Sequence, residues 1–283
     1  MRILITGAAG MLGSDVRAAA IAAGHEPHAL SRSELDITDA AAVAAAVNDS
    51  RPDAVINCAA WTDVDGAESD PEGAAAINAT GAEHVTRAAY GAGAWTVQLS
   101  TDYVFAGTQA EPYLESDPVG PASVYGATKL AGEQAVASAA PGRHTIVRTA
   151  WLFGTGGPCF PRTILRVARE RGRLSVVNDQ IGCPTWTGHL APALVTLAAG
   201  GIAGPVHVAA AGACSWWELA REIVAAAGIE CEVAPCTTSE FPRPAPRPAF
   251  SVLRSERGAE VPVLPAWQDG LSAYLIQSRE VVA

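Results

Sequence analysis

The chain has 283 residues, 49% hydrophobic and 17% charged, with 19 Lys plus Arg against 29 Asp plus Glu and a formal net charge of −10. This length suits one large α/β domain with a smaller second lobe, and the low charge content without a long charge run excludes wholesale disorder. The acidic balance argues against a nucleic-acid or anionic-membrane binder, although local arginines and helix N-termini can still hold a small anion.

Arg2 to Thr6 reads as a buried strand and Met11 to Ala23 as a helix, with Gly24 as its stop. Gly7, Gly10, Gly13 and Asp15 interrupt this apolar start, so it is not read as a signal peptide. No uninterrupted run of ~18 apolar residues occurs, so no membrane span is expected and the cytoplasm is the expected location. Pro27 to Leu30 is a second strand, Asp39 to Asn48 a helix, and Ala54 to Cys58 a third strand. Asp70-Pro71-Glu72 combines a capping acid with Pro at the first helical position and opens a helix to about Tyr90. Trp95 to Ser100 is a strand, Val124 to Ser138 a helix, and Thr145 to Thr149 a strand. Beyond residue 150 the rhythm loosens. Pro161 to Arg171 and Thr187 to Ala199 read as helices, and Leu174 to Asn178 and Val206 to Ala209 as strands. Ser215 and Glu218 form a capping box for a helix to Ala227, the proline-rich stretch Pro235 to Pro248 is extended, and a last helix starts near Asp269.

The βαβα alternation implies an α/β fold: a doubly wound, Rossmann-type parallel sheet with a smaller C-terminal substrate lobe. Residues 1–150 are expected to form the dinucleotide-binding domain, joined by about 174–201, and 151–283 mainly the substrate-binding lobe. The six cysteines form no CxxC pair and stand near no histidine cluster, and no HExxH occurs, so free thiols are expected and no metal site.

Between the first strand and first helix lies Thr6-Gly7-Ala8-Ala9-Gly10-Met11-Leu12-Gly13. Gly7 permits a tight turn, Gly10 lets the backbone approach a pyrophosphate, and Gly13 lets helix and sheet pack closely. The helix N-terminus at Met11 and Leu12 then offers unpaired N–H groups to phosphate. An acid ending the second strand would bind a ribose 2′-hydroxyl, whereas Arg accommodates a 2′-phosphate. Here Ser31-Arg32 stands in that place, which selects NADPH, with NADH as the alternative cofactor and a solvated Arg32 as the competing reading. Asp36 and Ile37 are candidates for adenine contacts, and Ala59 and Ala60 are small residues beside which a cofactor can lie.

Tyr125-Gly126-Ala127-Thr128-Lys129 places a phenol and an ammonium four residues apart on one helix face. Reducing a ketone adds hydride to carbon and a proton to oxygen. A free phenol has a pKa of ~10 and handles that proton poorly at neutral pH, and a nearby ammonium would lower it. Thr101, at the end of the preceding strand, is the candidate for orienting the carbonyl oxygen. YxxxK alone is a weak signal; glycine loop, strand-end Thr101 and YxxxK in this order are much more specific.

The GxxGxxG spacing and these residues resemble the extended short-chain dehydrogenase/reductases, and within them the dTDP-4-dehydrorhamnose reductases. The resemblance runs through NCAAWTDVDGAE (57–68), STDYVF (100–105), YGATKL (125–130), RTAWLFG (148–154), NDQIGCP (178–184) and RPAFSVL (247–253). It implies reduction of the C4 ketone of dTDP-4-dehydro-L-rhamnose, the last step to dTDP-L-rhamnose, with Thr101, Tyr125 and Lys129 catalytic. It also implies Asp102, Tyr103 and Trp151 near the sugar, with core packing as the competing reading of Trp151. Some members bridge a dimer through magnesium and glutamates. Here Asp15 and the segment Thr185–His189 depart from that pattern, so no metal is expected and a homodimer is left open. Arg254 is a further departure, bearing on substrate choice. Sugar-nucleotide 4,6-dehydratases need a second carboxylate after the strand-end Thr, where Tyr103 follows Asp102, and the missing second-strand acid disfavours an NAD-retaining epimerase. A reductase of another 4-keto deoxysugar nucleotide and a non-catalytic NADP-binding regulatory subunit remain the alternatives, the latter disfavoured by the presence of both Tyr125 and Lys129.

Overall fold

A computed structural model describes residues 1–281. In chain order the elements are β1 (Arg2–Thr6), α1 (Met11–Ala22), β2 (Glu26–Leu30), α2 (Ala40–Ser50), β3 (Ala54–Asn57), α3 (Val64–Ser69), α4 (Pro71–Ala75), α5 (Ala82–Gly91), β4 (Trp95–Thr101), α6 (Val124–Ala139), β5 (His144–Thr149), β6 (Leu152–Phe153), α7 (Phe160–Arg171), β7 (Arg173–Val177), β8 (Ile181–Gly182), β9 (Thr185–Trp186), α8 (Thr187–Gly200), β10 (Gly204–His207), β11 (Cys214–Ser215), α9 (Trp216–Ala226), β12 (Glu232–Cys236) and α10 (Trp267–Val281). No helix among the described residues is long and apolar enough to cross a membrane.

Six strands form one parallel sheet in the order β10-β5-β4-β3-β1-β2. The order reverses between β1 and β3, and in such sheets the crevice beyond the carboxyl ends at that point takes the ligand. The central strands are buried on both faces: Ile3, Ile5, Ile56 and Val97 pack under α1 and α8, and Leu4 and Val55 pack under α2 and α5, from which Val85 joins the same core. Apolar runs without alternation are what a sheet covered on both sides requires. Because α8 lies against α1 and β10 closes the sheet edge, the chain returns to the sheet over 187–207. By contrast β7 pairs with β12 away from the main sheet, so the expected return at about 174–201 begins later.

The single helix expected from Asp70 to Tyr90 is instead α4, a wider π-helical turn at Ala76–Gly81, and α5, preceded by the unforeseen short α3. Asn78 explains the widening. Its side chain accepts from Trp61 N–H at 2.9 Å, donates to Trp61 O at 3.2 Å and to Thr128 Oγ1 at 3.1 Å, and so pins the turn to α6. Such single wide turns are frequent at functional sites. Pro235, expected in a loop, lies in β12, where pairing with β7 alone leaves room for a residue without an N–H. A second core holds α7, α9 and α10 around Phe153, Leu219, Ile223 and Tyr274. The cleft opens between the two cores.

Candidate active site

The cleft, about 780 Å³, runs along the carboxyl ends of β1, β3, β4 and β5. The glycine loop forms one end. Gly7 has φ +65°, and a Cβ there would approach Ala59 N to 2.7 Å; a Cβ on Gly13 would approach Gly7 O to 2.3 Å. These positions need glycine for the left-handed turn and for close approach. α2, α4 and α6 are capped by Asp39, Asp70 and Ser123 side chains, whereas α1 begins at Gly10 with no side-chain cap and no acid in its first turn. Its first N–H groups therefore face the cleft with the positive end of the helix dipole. This uncapped terminus, a backbone that side chains would block, and the cleft's size together fit a dinucleotide.

Gly7, Gly10, Met11 and Leu12 line this end with Arg32, Asp36 and Ile37, and Ala59 and Ala60 line the floor. Ser31, expected to meet a 2′-phosphate, does not line the cleft. Its N–H and hydroxyl donate to Glu34 carboxylate at 2.9 and 2.6 Å, leaving the exposed Arg32 as the cation at this rim. Across the loop, Gly156, Gly157 and Pro158 also line the cleft. A Cβ on Gly156 would reach Ser14 Oγ at 2.9 Å and Met11 Cα at 3.1 Å, so this second glycine-rich segment lies against the start of α1.

At the other end Thr101, Tyr125 and Lys129 meet, with Asp102, Tyr103 and Trp151 beside them. Ser123 caps α6 by accepting from Gly126 N–H, which fixes the turn that carries Tyr125. Gly126 allows α6 close to the turn that follows β4: a Cβ there would meet the Tyr103 carbonyl oxygen. Tyr103 packs edge-on against Tyr125, centroids 5.5 Å apart at 77°. Thr101 Oγ1 donates to Asp102 Oδ1 at 2.9 Å and accepts from Tyr103 N–H at 3.2 Å.

The electrostatics differ from the sequence expectation in one respect. Burial pushes the Tyr125 phenol up to about 12, partly offset by the nearby Thr101 hydroxyl and reinforced by Asp102, with no lowering by Lys129. The Lys129 ammonium donates to the Leu99 carbonyl at 2.6 Å instead, and its own pKa falls to about 8 through burial, which Glu133 and Cys58 counteract. At neutral pH Tyr125 therefore holds its proton. That is the state an acid needs before it protonates a ketone oxygen. Asp102 is 2% exposed and burial raises its pKa to about 6. Among the described residues its Oδ2 has no hydrogen-bond partner; the Ser251 hydroxyl is near enough to lower that pKa but lies outside hydrogen-bond geometry. Thr149 Oγ1, also buried and lining the cleft, lacks a partner too.

Trp151 has φ +48°, the left-handed region that a bulky residue rarely enters. Its ring lies parallel to Trp216, centroids 3.5 Å apart at 3°, and Gly182 leaves the space it occupies, since a Cβ there would reach the indole at 2.4 Å. Trp151 is thus neither simply core nor free, but one half of a stacked wall of the cleft. Trp216 was legible only as a residue inside the capping box of Ser215 and Glu218. A second signal lay unread in the composition: Lys129 is the one lysine of the chain, all other Lys-or-Arg positions being arginine. Lys129 thus presents a compact ammonium where every other basic side chain of Lys or Arg type is a planar guanidinium.

Residues 1–280 match the family described as the RmlD substrate binding domain. The dTDP-4-dehydrorhamnose reductase of Streptomyces griseus is 44% identical over 279 residues, covering 96% of this chain and 92% of that protein. A probable dTDP-4,6-dihydroxy-2-methyloxan-3-one 4-ketoreductase of Streptomyces antibioticus is 42% identical, covering 96% of this chain and 93% of that protein. Among solved structures, the Bacillus anthracis dTDP-4-dehydrorhamnose reductase in complex with NADP superposes with a TM-score of 0.94 at 38% identity, covering 98% of this chain and 99% of that one.

Proposed function

The chain belongs to the RmlD substrate-binding-domain family, and from that premise we propose that it is an NADPH-dependent reductase of the C4 ketone of dTDP-4-dehydro-L-rhamnose, yielding dTDP-L-rhamnose. The observation that carries this reading is the convergence of Thr101, Tyr125 and Lys129 at the end of a cleft whose opposite end is a glycine cradle. Bound NADPH supplies the hydride. Gly7, Gly10, Met11 and Leu12 hold the pyrophosphate, Arg32 the 2′-phosphate, Asp36 and Ile37 the adenine side, and Ala59 and Ala60 the floor. Thr101 Oγ1 orients the ketone oxygen, and the Tyr125 hydroxyl gives it a proton. Lys129 is the cation at this end of the cleft, where its ammonium donates to the Leu99 carbonyl without lowering the phenol, and its role is to bond the nicotinamide ribose. The unpartnered Asp102 Oδ2 accepts from a sugar hydroxyl, and Tyr103 and the Trp151–Trp216 wall confine the ring.

The nucleotide-binding part comprises residues 1–150 with the returning α8 and β10, and the substrate lobe the remainder. We place the protein in the cytoplasm, in keeping with six free thiols, without nucleic-acid or membrane partners; a homodimer is compatible with this reading.

A second reading, reduction of a different 4-keto deoxysugar nucleotide, is favoured by the 42% identity to the Streptomyces antibioticus protein. The test is a panel of 4-keto sugar nucleotides assayed for NADPH and NADH oxidation. Fastest turnover of the rhamnose precursor with NADPH supports the first reading, and preference for another 4-keto sugar supports the second. Tight NADPH binding with no turnover of any panel member would replace both with a regulatory NADP-binding role.

A further inference from the structure

One turn beyond Lys129 on the same face of α6 lies Glu133, 5% exposed. Three donors converge on its carboxylate. Ser100 Oγ donates to Oε1 at 2.5 Å, Arg148 Nε to Oε1 at 3.0 Å and Arg148 Nη2 to Oε2 at 2.7 Å. Arg148, also 5% exposed, lies over the Phe105 ring and reaches His207 Nε2 at 3.5 Å. A buried ion pair of this kind is a poor source of stability, because apolar residues of similar volume serve as well or better. Its place beside the sole lysine of the chain suggests a different use.

We propose that Glu133, fixed by Arg148 and Ser100, is a positioning residue whose carboxylate acts on the Lys129 ammonium one helical turn away. The proposal rests on the reductase reading only for what Lys129 does, not for its charge. The groups around Lys129 support it. From α6 come Tyr125 and Glu133, from the end of β3 the Cys58 thiol, from β4 the Leu99 carbonyl and, further along, Asp102. From β5 comes Arg148, backed by His207 of β10 and Glu115, which accepts from His207 N–H at 2.8 Å. Burial drives the ammonium toward its neutral form, and Glu133 is the leading group that opposes this; Asp102 acts on Tyr125 instead. The same carboxylate binds Ser100, next to Thr101, so it also ties α6 to the strand end that carries the third site residue.

The single lysine makes a direct test available. Protein grown on lysine labelled with ¹³C at Cε gives one lysine signal, whose shift against pH reports the Lys129 titration without turnover. Two double variants remove both charges: Glu133→Gln with Arg148→Gln, and Glu133→Leu with Arg148→Met, the second offering apolar packing should the first not fold. Either should lower the midpoint by about one pH unit, roughly a tenfold loss of ammonium at a given pH. Arg148→Gln alone keeps the carboxylate and should not lower it. A midpoint within about 0.3 of wild type in the folded double variant, or an equal fall in the single variant, overturns the proposal. The alkaline limb of the kcat profile should move with the signal. A signal that moves while that limb stays fixed upholds the charge on Lys129 and refutes its part in the reduction.

Discussion

Tyr125 and Arg32 sit at opposite ends of the cleft, and the proposed roles separate them experimentally. Tyr125→Phe removes one oxygen and keeps the ring that packs on Tyr103. Turnover should fall by about 10²–10⁴, the usual contribution of a placed acid, while the NADPH Kd from fluorescence titration stays nearly constant. An unchanged kcat would remove Tyr125 from the chemistry. Arg32→Ala should weaken NADPH by roughly tenfold or more and NADH far less, since a charge-assisted contact to the 2′-phosphate contributes about 1.5–3 kcal/mol. Equal losses for both cofactors would mean that Arg32 is only a solvated rim residue. Arg32 carries this alone because Glu34 has taken both donors of Ser31. From the sequence, Ser31 looked as available as Arg32. The S-x-x-E spacing that closes Glu34 on Ser31 is the same as that of Ser215 and Glu218, but no helical apolar run follows it, so it does not announce itself as a cap that occupies the serine.

Elements built from local signals were the legible ones. The capping acid Asp70 and the box of Ser215 with Glu218 stand where their residue types placed them, because an N-cap is satisfied within three residues. The wall of the cleft was not legible, because it depends on three segments distant in sequence. Trp151 follows β5, Gly182 ends β8, and Trp216 opens α9. Gly182→Ala tests that wall as a unit. The added methyl would meet the Trp151 indole at 2.4 Å and push it off Trp216. With a reacting group misplaced by about 1 Å, kcat/KM for the sugar nucleotide should drop about 10–100-fold, while the NADPH Kd changes little. Equal damage to both ligands would show that Gly182 serves the general fold rather than the sugar end.

At the scale of the whole molecule, Asp102 is a liability that folding alone does not explain. A domain's net stability is only about 5–15 kcal/mol, yet this chain buries a carboxylate with one oxygen unpartnered. The pKa of Asp102 rises from 3.8 in the open chain to about 6 in the fold, through burial first. Between these values the folded state binds a proton that the unfolded state has lost. The stabilising contribution of the protonated group is therefore fully present below about pH 4 and is lost as pH rises through about 6. The shift corresponds to about 3 kcal/mol at pH 7. Asp102→Asn keeps an acceptor for Thr101 and carries no charge, so it should melt above wild type at pH 7, by roughly 5–10 °C, and level with it near pH 4. Melting curves that stay parallel from pH 4 to 7 would show that the carboxylate carries no such penalty. If the charge is kept for a sugar hydroxyl, the nucleotide sugar should raise the wild-type midpoint more at pH 7 than at pH 4, and this pH dependence should vanish in Asp102→Asn, because a ligand stabilises a fold through the contacts that only the fold offers it.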